Sequence, residues 1–214
     1  MFDKRVGSKA LASLRENPEA TCTTKRFQVV SKVFMNQNNG GPCKATCTRL
    51  SGDIFRIDVD SGTGDYYFPY RTAGVGGLGS CAVPRNAPDG TLVLTGAMNG
   101  CALVVQALSD TVLMFTHDAD GRHFNRSKAD GKVLAEIKYA DYAGPGEVAK
   151  AMFSHKSAEV MKKGKSMKSG AGFFYYLLTV KHGGKWKVYS SGTVKVRDTH
   201  AVPFMMTPML ASFS

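Results

Sequence analysis

Most hydrophobic positions along the chain alternate with polar ones, which is the period of two expected for β-strands with one buried face. The alternation is clearest between residues 52 and 62, GDIFRIDVDSG, where Phe, Ile and Val recur at every second position. Further strand-like runs are RFQVVSKVFM (26–35), TLVLTGA (91–97), CALVVQAL (101–108), TVLMFTH (111–117) and KVLAEIKYADY (132–142). The pattern therefore predicts many strands.

Two segments have helical character instead. SKALASLREN (8–17) predicts a short helix, and the segment 144–165 places apolar residues at helical spacing after Pro145 and Gly146. The run 173–198 predicts a hairpin that turns at Gly183-Gly184, because two glycines between strand-like runs favour a tight turn.

The remaining long segment, RTAGVGGLGSCAVPRNAPDG (71–90), is rich in Gly, Pro and Asn and predicts a loop. A short helix, several strands, one longer helix and then more strands predict an α+β fold. We expect a largely antiparallel sheet or sandwich with a few outer helices. A chain of 214 residues is long enough for one domain with a buried core, so we expect a single domain over residues 1–214.

The charge and composition exclude some classes of protein and identify none. The formal net charge is +11, which permits attraction to acidic partners such as RNA or an acidic protein. The densest basic cluster is KKGKSMK (162–168), with no stacking-aromatic motif beside it. No apolar run is long enough to predict a membrane span, and the first twenty residues lack the apolar core of a secretory signal.

The five cysteines are an odd number, so they cannot all pair within one chain, and a reducing environment is the simpler expectation. Cys43 and Cys47 form a C-x3-C pair, but no second pair of ligands follows at zinc-site spacing. We therefore expect no metal site.

Cys101 and His117 are the residues that point to chemistry. A nearby histidine can convert a cysteine into the thiolate that acts as a nucleophile. If the strands 101–108 and 111–117 form a hairpin with the loop Leu108–Asp110, Cys101 faces His117 directly, with Cβ atoms about 4.5–5.5 Å apart. Gly100 precedes the thiol and would allow close approach of a substrate.

This segment resembles the Cys–His glutamine deamidase toxins, the group of the cytotoxic necrotizing factor catalytic domain and Burkholderia lethal factor. The shared pattern is an apolar strand, a threonine, four residues, Gly-Cys, another strand, and a histidine followed closely by aspartate. Here these are LVL, Thr95, GAMN, Gly100-Cys101, ALVVQAL, and His117 with Asp118 and Asp120. The resemblance covers about 25 residues, 92–120.

The resemblance implies a bacterial toxin or effector that converts a glutamine of a host protein to glutamate. Cys101 would be the nucleophile and His117 the base, and Thr95 would orient the histidine through its carbonyl group. Gly100 and Asn99 would be oxyanion or substrate-binding positions, together with the Cys101 backbone N–H. No cofactor is implied.

The resemblance also sets expectations for partners and location. The toxins that share the pattern act on a translation-initiation RNA helicase or on Rho-type GTPases. We therefore expect a monomer that is secreted or delivered to the host cytosol without a Sec-type signal peptide.

Three alternatives remain open from the residues. Cys81, in GSC, is a rival nucleophile that resembles the position in chemotaxis receptor glutamine deamidases, although no histidine follows it before His117. A Cys–His pair also serves peptidases and transglutaminases, since all of these are acyl transfers. Finally, Cys101 could be an ordinary core thiol in a basic, non-catalytic module that binds RNA or protein.

Overall fold

The computed structural model describes residues 3–143, 171–196, 199–201 and 209–214. The predicted helix 144–165 and the basic cluster 162–168 lie outside the described residues. Among the described residues, no helix is long and apolar enough to span a membrane.

Two helices open the chain, α1 (Lys4–Glu16) and α2 (Pro18–Thr24). Asp3 caps α1 by accepting a hydrogen bond from the Val6 N–H at 3.1 Å. Asn17 ends α1 and caps α2, and Pro18 follows it at the first helical position, where a missing N–H costs nothing. The predicted helix over 8–17 is thus confirmed but begins four residues earlier, and α2 was not predicted.

The strands form two sheets. The strands are β1 (Arg26–Ser31), β2 (Gly41–Ser51), β3 (Ile54–Phe68), β4 (Leu78–Pro84), β5 (Leu92–Thr95), β6 (Ala102–Ala107), β7 (Val112–Asp118), β8 (Lys132–Ile137), β9 (Ala171–His182), β10 (Lys185–Val196), β11 (Thr199–Ala201) and β12 (Met209–Phe213). An eight-stranded sheet has the order β1-β3-β5-β9-β10-β11, with β2 on β3 and β12 on β10. A four-stranded antiparallel sheet has the order β4-β7-β6-β8.

The eight-stranded sheet is mixed, because β1 and β5 run parallel to β3 while its other pairs are antiparallel. It is the central layer, buried on both faces. Leu92 and Leu94 of β5 point into a core shared with α1 and α2, whereas Val93 points into a second core shared with the four-stranded sheet. This arrangement confirms the predicted α+β class.

The ion pair between Arg15 of α1 and Asp65 of β3 fastens the helical layer to the central sheet. Arg15 Nη1 and Nη2 donate to the two oxygens of Asp65 at 2.6 and 2.7 Å. The same carboxylate accepts hydrogen bonds from the backbone N–H groups of Ala45 (3.2 Å) and Leu92 (3.0 Å). One buried carboxylate therefore joins α1, β2, β3 and β5.

The predicted hairpin of β9 and β10 is confirmed, with Gly183 and Gly184 at φ +62° and +72° in its turn. The predicted loop 71–90 is wrong in part, because it contains β4. Cys81 and Val83 of β4 are buried while Ala82 and Pro84 are exposed. This short stretch therefore has the alternation of buried and exposed residues that is typical of a strand, although glycines and prolines surround it. The strand predicted to end at residue 142 ends at Ile137, and residues 139–142 form the one-turn helix α3 (Tyr139–Tyr142).

Candidate active site

Strands β6 and β7 form the hairpin that carries the predicted pair, but the predicted register is wrong by two residues. Leu103, not Cys101, lies opposite His117. The loop has the expected three residues but consists of Ser109–Thr111, since the Leu108 N–H donates to Val112 O and the Ser109 hydroxyl accepts from two N–H groups of the turn.

A shift of two keeps every side chain on its face of the sheet. Cys101 directly precedes Ala102, which pairs with Asp118, so the thiol is a diagonal neighbour of His117. Diagonal neighbours in a sheet are about 7–8 Å apart, with a somewhat shorter distance between their Cβ atoms. Cys101 lies in the core between the two sheets, and the His117 ring contacts Phe68 of that core at a centroid distance of 6.4 Å.

Thr95 holds His117 in place from the other sheet. The Thr95 Oγ1 and His117 Nδ1 atoms are 2.8 Å apart in a fully buried hydrogen bond. Thr95 ends β5 of the eight-stranded sheet, and His117 is near the end of β7 of the four-stranded sheet. The structure thus joins these two predicted residues through the threonine hydroxyl, whereas the resemblance implied the carbonyl.

His117 is a neutral imidazole with one uncommitted nitrogen. Its side chain is completely buried, and desolvation lowers its pKa from 6.5 to about 3. Its Nε2 atom is buried and has no hydrogen-bond partner among the described residues. In the tautomer whose Nδ1–H donates to Thr95 Oγ1, the Nε2 lone pair is available, which is the arrangement that a general base requires.

The turn before β6 presents Cys101. Gly100 has φ +86°, a left-handed conformation that favours glycine, and a Cβ there would meet nothing within 4 Å. The Cys101 N–H donates to Met98 O at 2.8 Å and closes the turn. The Tyr142 hydroxyl donates to Met98 O and to Cys101 O (2.8 Å) from beneath. The Cys101 N–H is therefore engaged within the turn and does not point to an oxyanion.

Asn99 anchors this turn to the central sheet. Its Oδ1 accepts a hydrogen bond from the Tyr175 N–H at 3.0 Å, and the Met98 N–H donates to Tyr175 O at 2.8 Å. Met98 and Asn99, which precede Gly100, are thus both hydrogen-bonded to the backbone of Tyr175 in β9. Asn99 therefore has two contacts: its side chain anchors the turn to β9, and its backbone carbonyl oxygen accepts a hydrogen bond from the Cys101 thiol at 4.0 Å.

The Cys101 thiol differs from the other four thiols in its surroundings. Burial raises the pKa of Cys101, and an N–H group of Asp120 opposes that rise by donating toward the sulfur. Burial raises the pKa values of Cys22, Cys43, Cys47 and Cys81 to about 12, and within the described part of the chain no backbone N–H group opposes that rise. The pKa shifts of Cys101 and His117 both favour the uncharged forms, a thiol at Cys101 and a neutral imidazole at His117, whereas the sequence pattern predicted a thiolate at Cys101.

The loop after His117 is built around Asp118. This buried carboxylate accepts hydrogen bonds from the N–H groups of Arg122 (3.2 Å), His123 (2.9 Å) and Phe124 (3.1 Å). The turn brings Asp120, at a positive φ of 58°, next to Cys101. Asp118 therefore holds the loop that places the Asp120 N–H group near the Cys101 thiol. The sequence pattern included Asp118 but did not explain its role.

Tyr70 contacts His117 and was missed in the sequence. Its ring lies edge-on to His117, with centroids 5.2 Å apart, and the residue is 46% exposed. The segment reaches this position because Gly79 of β4, directly opposite His117, has no side chain. A Cβ on Gly79 would lie 1.8 Å from Pro69 O. A glycine inside a strand is the sequence signal for such a close approach.

We expect Gly79→Ala to displace the Pro69–Tyr70 segment and to lower the free energy of unfolding by about 1–3 kcal/mol, because the new methyl group overlaps a backbone carbonyl. Urea denaturation measures the change. Gly74→Ala is the matched control, since a Cβ at Gly74 in the same connection meets nothing within 4 Å. Equal stability of the two variants would contradict the close contact.

The other candidates lie away from this centre. Cys81 is two residues from Gly79 on the same face, but it lies opposite Phe115 and not opposite His117. Cys43 and Cys47 are buried on β2. The described part of the chain contains no group of three or more His, Cys, Asp or Glu residues that could hold a metal ion.

A cleft of about 850 Å³ lies at the other ends of β4 and β5, where Pro84 and Thr91 line it together with Arg15, Tyr66 and His182. None of the predicted site residues borders it. In the structure as it stands, Cys101 and His117 are both buried, with exposed fractions of 4% and 0%.

Neither a protein-family model nor a curated protein matches the chain. The argument for a function therefore depends on the geometry of Cys101, His117 and Thr95.

Proposed function

We propose that the protein is a cysteine-dependent glutamine deamidase of the toxin or effector type, with Cys101 as nucleophile and His117 as base. The observation that supports the proposal is the buried imidazole, which Thr95 holds at Nδ1 and whose Nε2 has no hydrogen-bond partner among the described residues. Cys101 is its diagonal neighbour across the β6–β7 hairpin. A core histidine without a chemical role would be expected to have its second nitrogen satisfied.

The reaction follows from the neutral pair. When a glutamine carboxamide displaces water from the centre, His117 Nε2 takes the thiol proton as the sulfur forms a bond to the amide carbon. The intermediate collapses with cleavage of the C–N bond, and the imidazolium gives its proton to the departing nitrogen, which leaves as ammonia. His117 then removes a proton from water, the oxygen bonds to the thioester carbon, and the sulfur leaves and regains a proton.

The burial of Cys101 favours deamidation over peptide hydrolysis. Only 4% of the residue is exposed, and the half-exposed ring of Tyr70 lies against the neighbouring His117. The end of a long glutamine side chain can enter such an opening, whereas a main-chain peptide bond would need a groove along which the substrate could lie. The net charge of +11 further favours a target protein with an acidic surface.

The test is conversion of glutamine to glutamate in proteins of a eukaryotic cell lysate, followed by mass spectrometry. We expect the wild type to convert specific glutamines and Cys101→Ala to lose about 10⁴-fold or more of that activity, as for other enzymes that lose their nucleophile. Cys81→Ala is the matched control, because that thiol is equally buried in the same core. It should retain activity.

Other outcomes would identify a different chemistry. New protein N-termini that depend on Cys101 would indicate a peptidase, and new glutamine–lysine cross-links would indicate a transglutaminase. If wild type and Cys101→Ala leave the lysate in the same state, the enzymatic proposal fails. Salt-sensitive RNA binding that is unchanged in Cys101→Ala would then favour a basic binding module.

A further inference from the structure

The candidate active site lacks an obvious donor for the oxyanion that acyl transfer creates. The Cys101 N–H, the donor expected from the sequence, is bonded to Met98 O at 2.8 Å. The Asp120 N–H faces the sulfur, which it stabilises when the thiol loses its proton. Acyl-transfer sites usually provide a further group that donates to the oxygen as its charge develops.

Tyr70 is the polar side chain that remains over the pair. Its ring is held against His117 at 5.2 Å, and its hydroxyl makes no hydrogen bond with any described residue. The hydroxyl lies close enough to Cys101 and Asp120 that burial, and then the charges of these two residues, raise its pKa. Because its pKa is raised, the phenol keeps its proton at neutral pH and can donate it in a hydrogen bond.

The backbone of this segment is fixed although the side chain is half exposed. Pro69 O packs over Gly79, where no side chain could fit, and Phe68 is buried in the core between the sheets. Tyr70 therefore lies between the buried His117 ring, which it contacts, and solvent, to which it is half exposed. A substrate that approached His117 from this side would meet the phenol.

We propose that the Tyr70 hydroxyl donates the hydrogen bond that stabilises the oxyanion during attack by Cys101, an inference that rests on the proposed acyl-transfer function. As the sulfur–carbon bond forms, the π electrons of the carbonyl group move to its oxygen, and the phenol O–H donates to that oxygen without losing its proton. When the intermediate collapses, the electron pair returns to the carbonyl group and the leaving group departs. Tyr70 is then a third catalytic side chain, beside Cys101 and His117.

Two small probes separate this role from a structural one. Acylation of Cys101 by p-nitrophenyl acetate passes through an oxyanion, whereas alkylation by iodoacetamide does not. We expect Tyr70→Phe, which keeps the ring against His117, to slow Cys101-dependent release of p-nitrophenol about a hundredfold. The rate of alkylation of Cys101 should remain within about twofold of the wild type, because no donor is needed there.

Tyr139→Phe is the matched control. Tyr139 is also 46% exposed, but its ring contacts Tyr142 and Tyr175 and not His117. Its variant should acylate at the wild-type rate. The rate at which Cys101→Ala releases p-nitrophenol is the background that does not depend on Cys101.

Each outcome bears on one of the two proposals. Wild-type release that does not exceed the Cys101→Ala background overturns the proposed function, and this inference with it. Cys101-dependent release that is equal in wild type and Tyr70→Phe overturns only the role of Tyr70. An equal fall of acylation and alkylation in Tyr70→Phe also overturns it, because Tyr70 would then act on the thiol or on access to it.

Discussion

The double variant Thr95→Val/His117→Leu is expected to lose catalytic activity completely and yet to resist acid better than the wild type. Replacing both partners of a buried hydrogen bond by apolar groups leaves no unsatisfied atom behind. It also removes the partnerless Nε2 atom of His117. Activity should fall to the level of Cys101→Ala, because no base remains to take the thiol proton.

The acid resistance follows from the pKa of His117. Burial lowers that pKa to about 3 in the folded protein, against about 6.5 in the unfolded chain. The unfolded chain therefore binds this proton first as the pH falls. The contribution of His117 to the free energy of unfolding is complete above about pH 6.5 and is lost as the pH falls from about 6.5 to about 3. Between pH 8 and pH 5 the wild type therefore loses about 2 kcal/mol of stability through this histidine.

Urea unfolding at pH 8 and pH 5 measures the difference. Thr95→Val alone keeps the buried histidine and should show the wild-type loss between the two pH values. His117→Leu alone leaves the Thr95 hydroxyl buried without a partner, and should be about 1–3 kcal/mol less stable than the double variant at pH 8. A double variant that loses as much stability as the wild type at pH 5 would show that His117 is not held neutral by the fold.

Asp65→Ala is expected to lower the free energy of unfolding by about 3–5 kcal/mol, which is the usual cost of removing one partner of a buried ion pair. The change deprives Arg15 of two charged hydrogen bonds and leaves the N–H groups of Ala45 and Leu92 without their acceptor. The midpoint of urea or thermal unfolding measures the loss.

Asp60→Ala on the same strand is the matched control for Asp65→Ala. The Asp60 side chain is 44% exposed and pairs with Lys32 at 3.5 Å. Exposed pairs contribute less than about 1 kcal/mol, so this variant should be close to the wild type. Similar losses of stability in Asp65→Ala and Asp60→Ala would mean that the Arg15–Asp65 ion pair does not hold α1 against the central sheet.

The strands were predictable where apolar residues alternate without interruption. The β9–β10 hairpin, for example, follows from its period and from Gly183-Gly184. Strand β4 was missed because glycine and proline flank a short alternation, and these residues are more common in loops. The register of the β6–β7 hairpin was missed by two residues because the choice of Ser109–Thr111 as the turn depends on hydrogen bonds of the Ser109 hydroxyl.

The site shows a similar division. Thr95 and His117 could be paired in advance because their spacing relative to Cys101 resembles a known pattern, and the structure places them 2.8 Å apart. The position of Tyr70 could not be predicted in this way. Tyr70 lies in another part of the chain, and it reaches His117 because the backbone at Pro69 packs against Gly79, which has no side chain. The sequence also did not predict that Cys101 and His117 are both uncharged, because their pKa values depend on how deeply each side chain is buried and the sequence does not give that.

The hydrogen bond between Thr95 and His117 crosses from one sheet to the other. His117 and Thr95 are therefore brought together only when the two sheets pack against each other, and neither sheet contains both residues. If His117 is the base, as proposed, a partly folded chain whose strands have formed but whose sheets are still apart would be inactive. The proposed activity would then require the complete packing of both sheets.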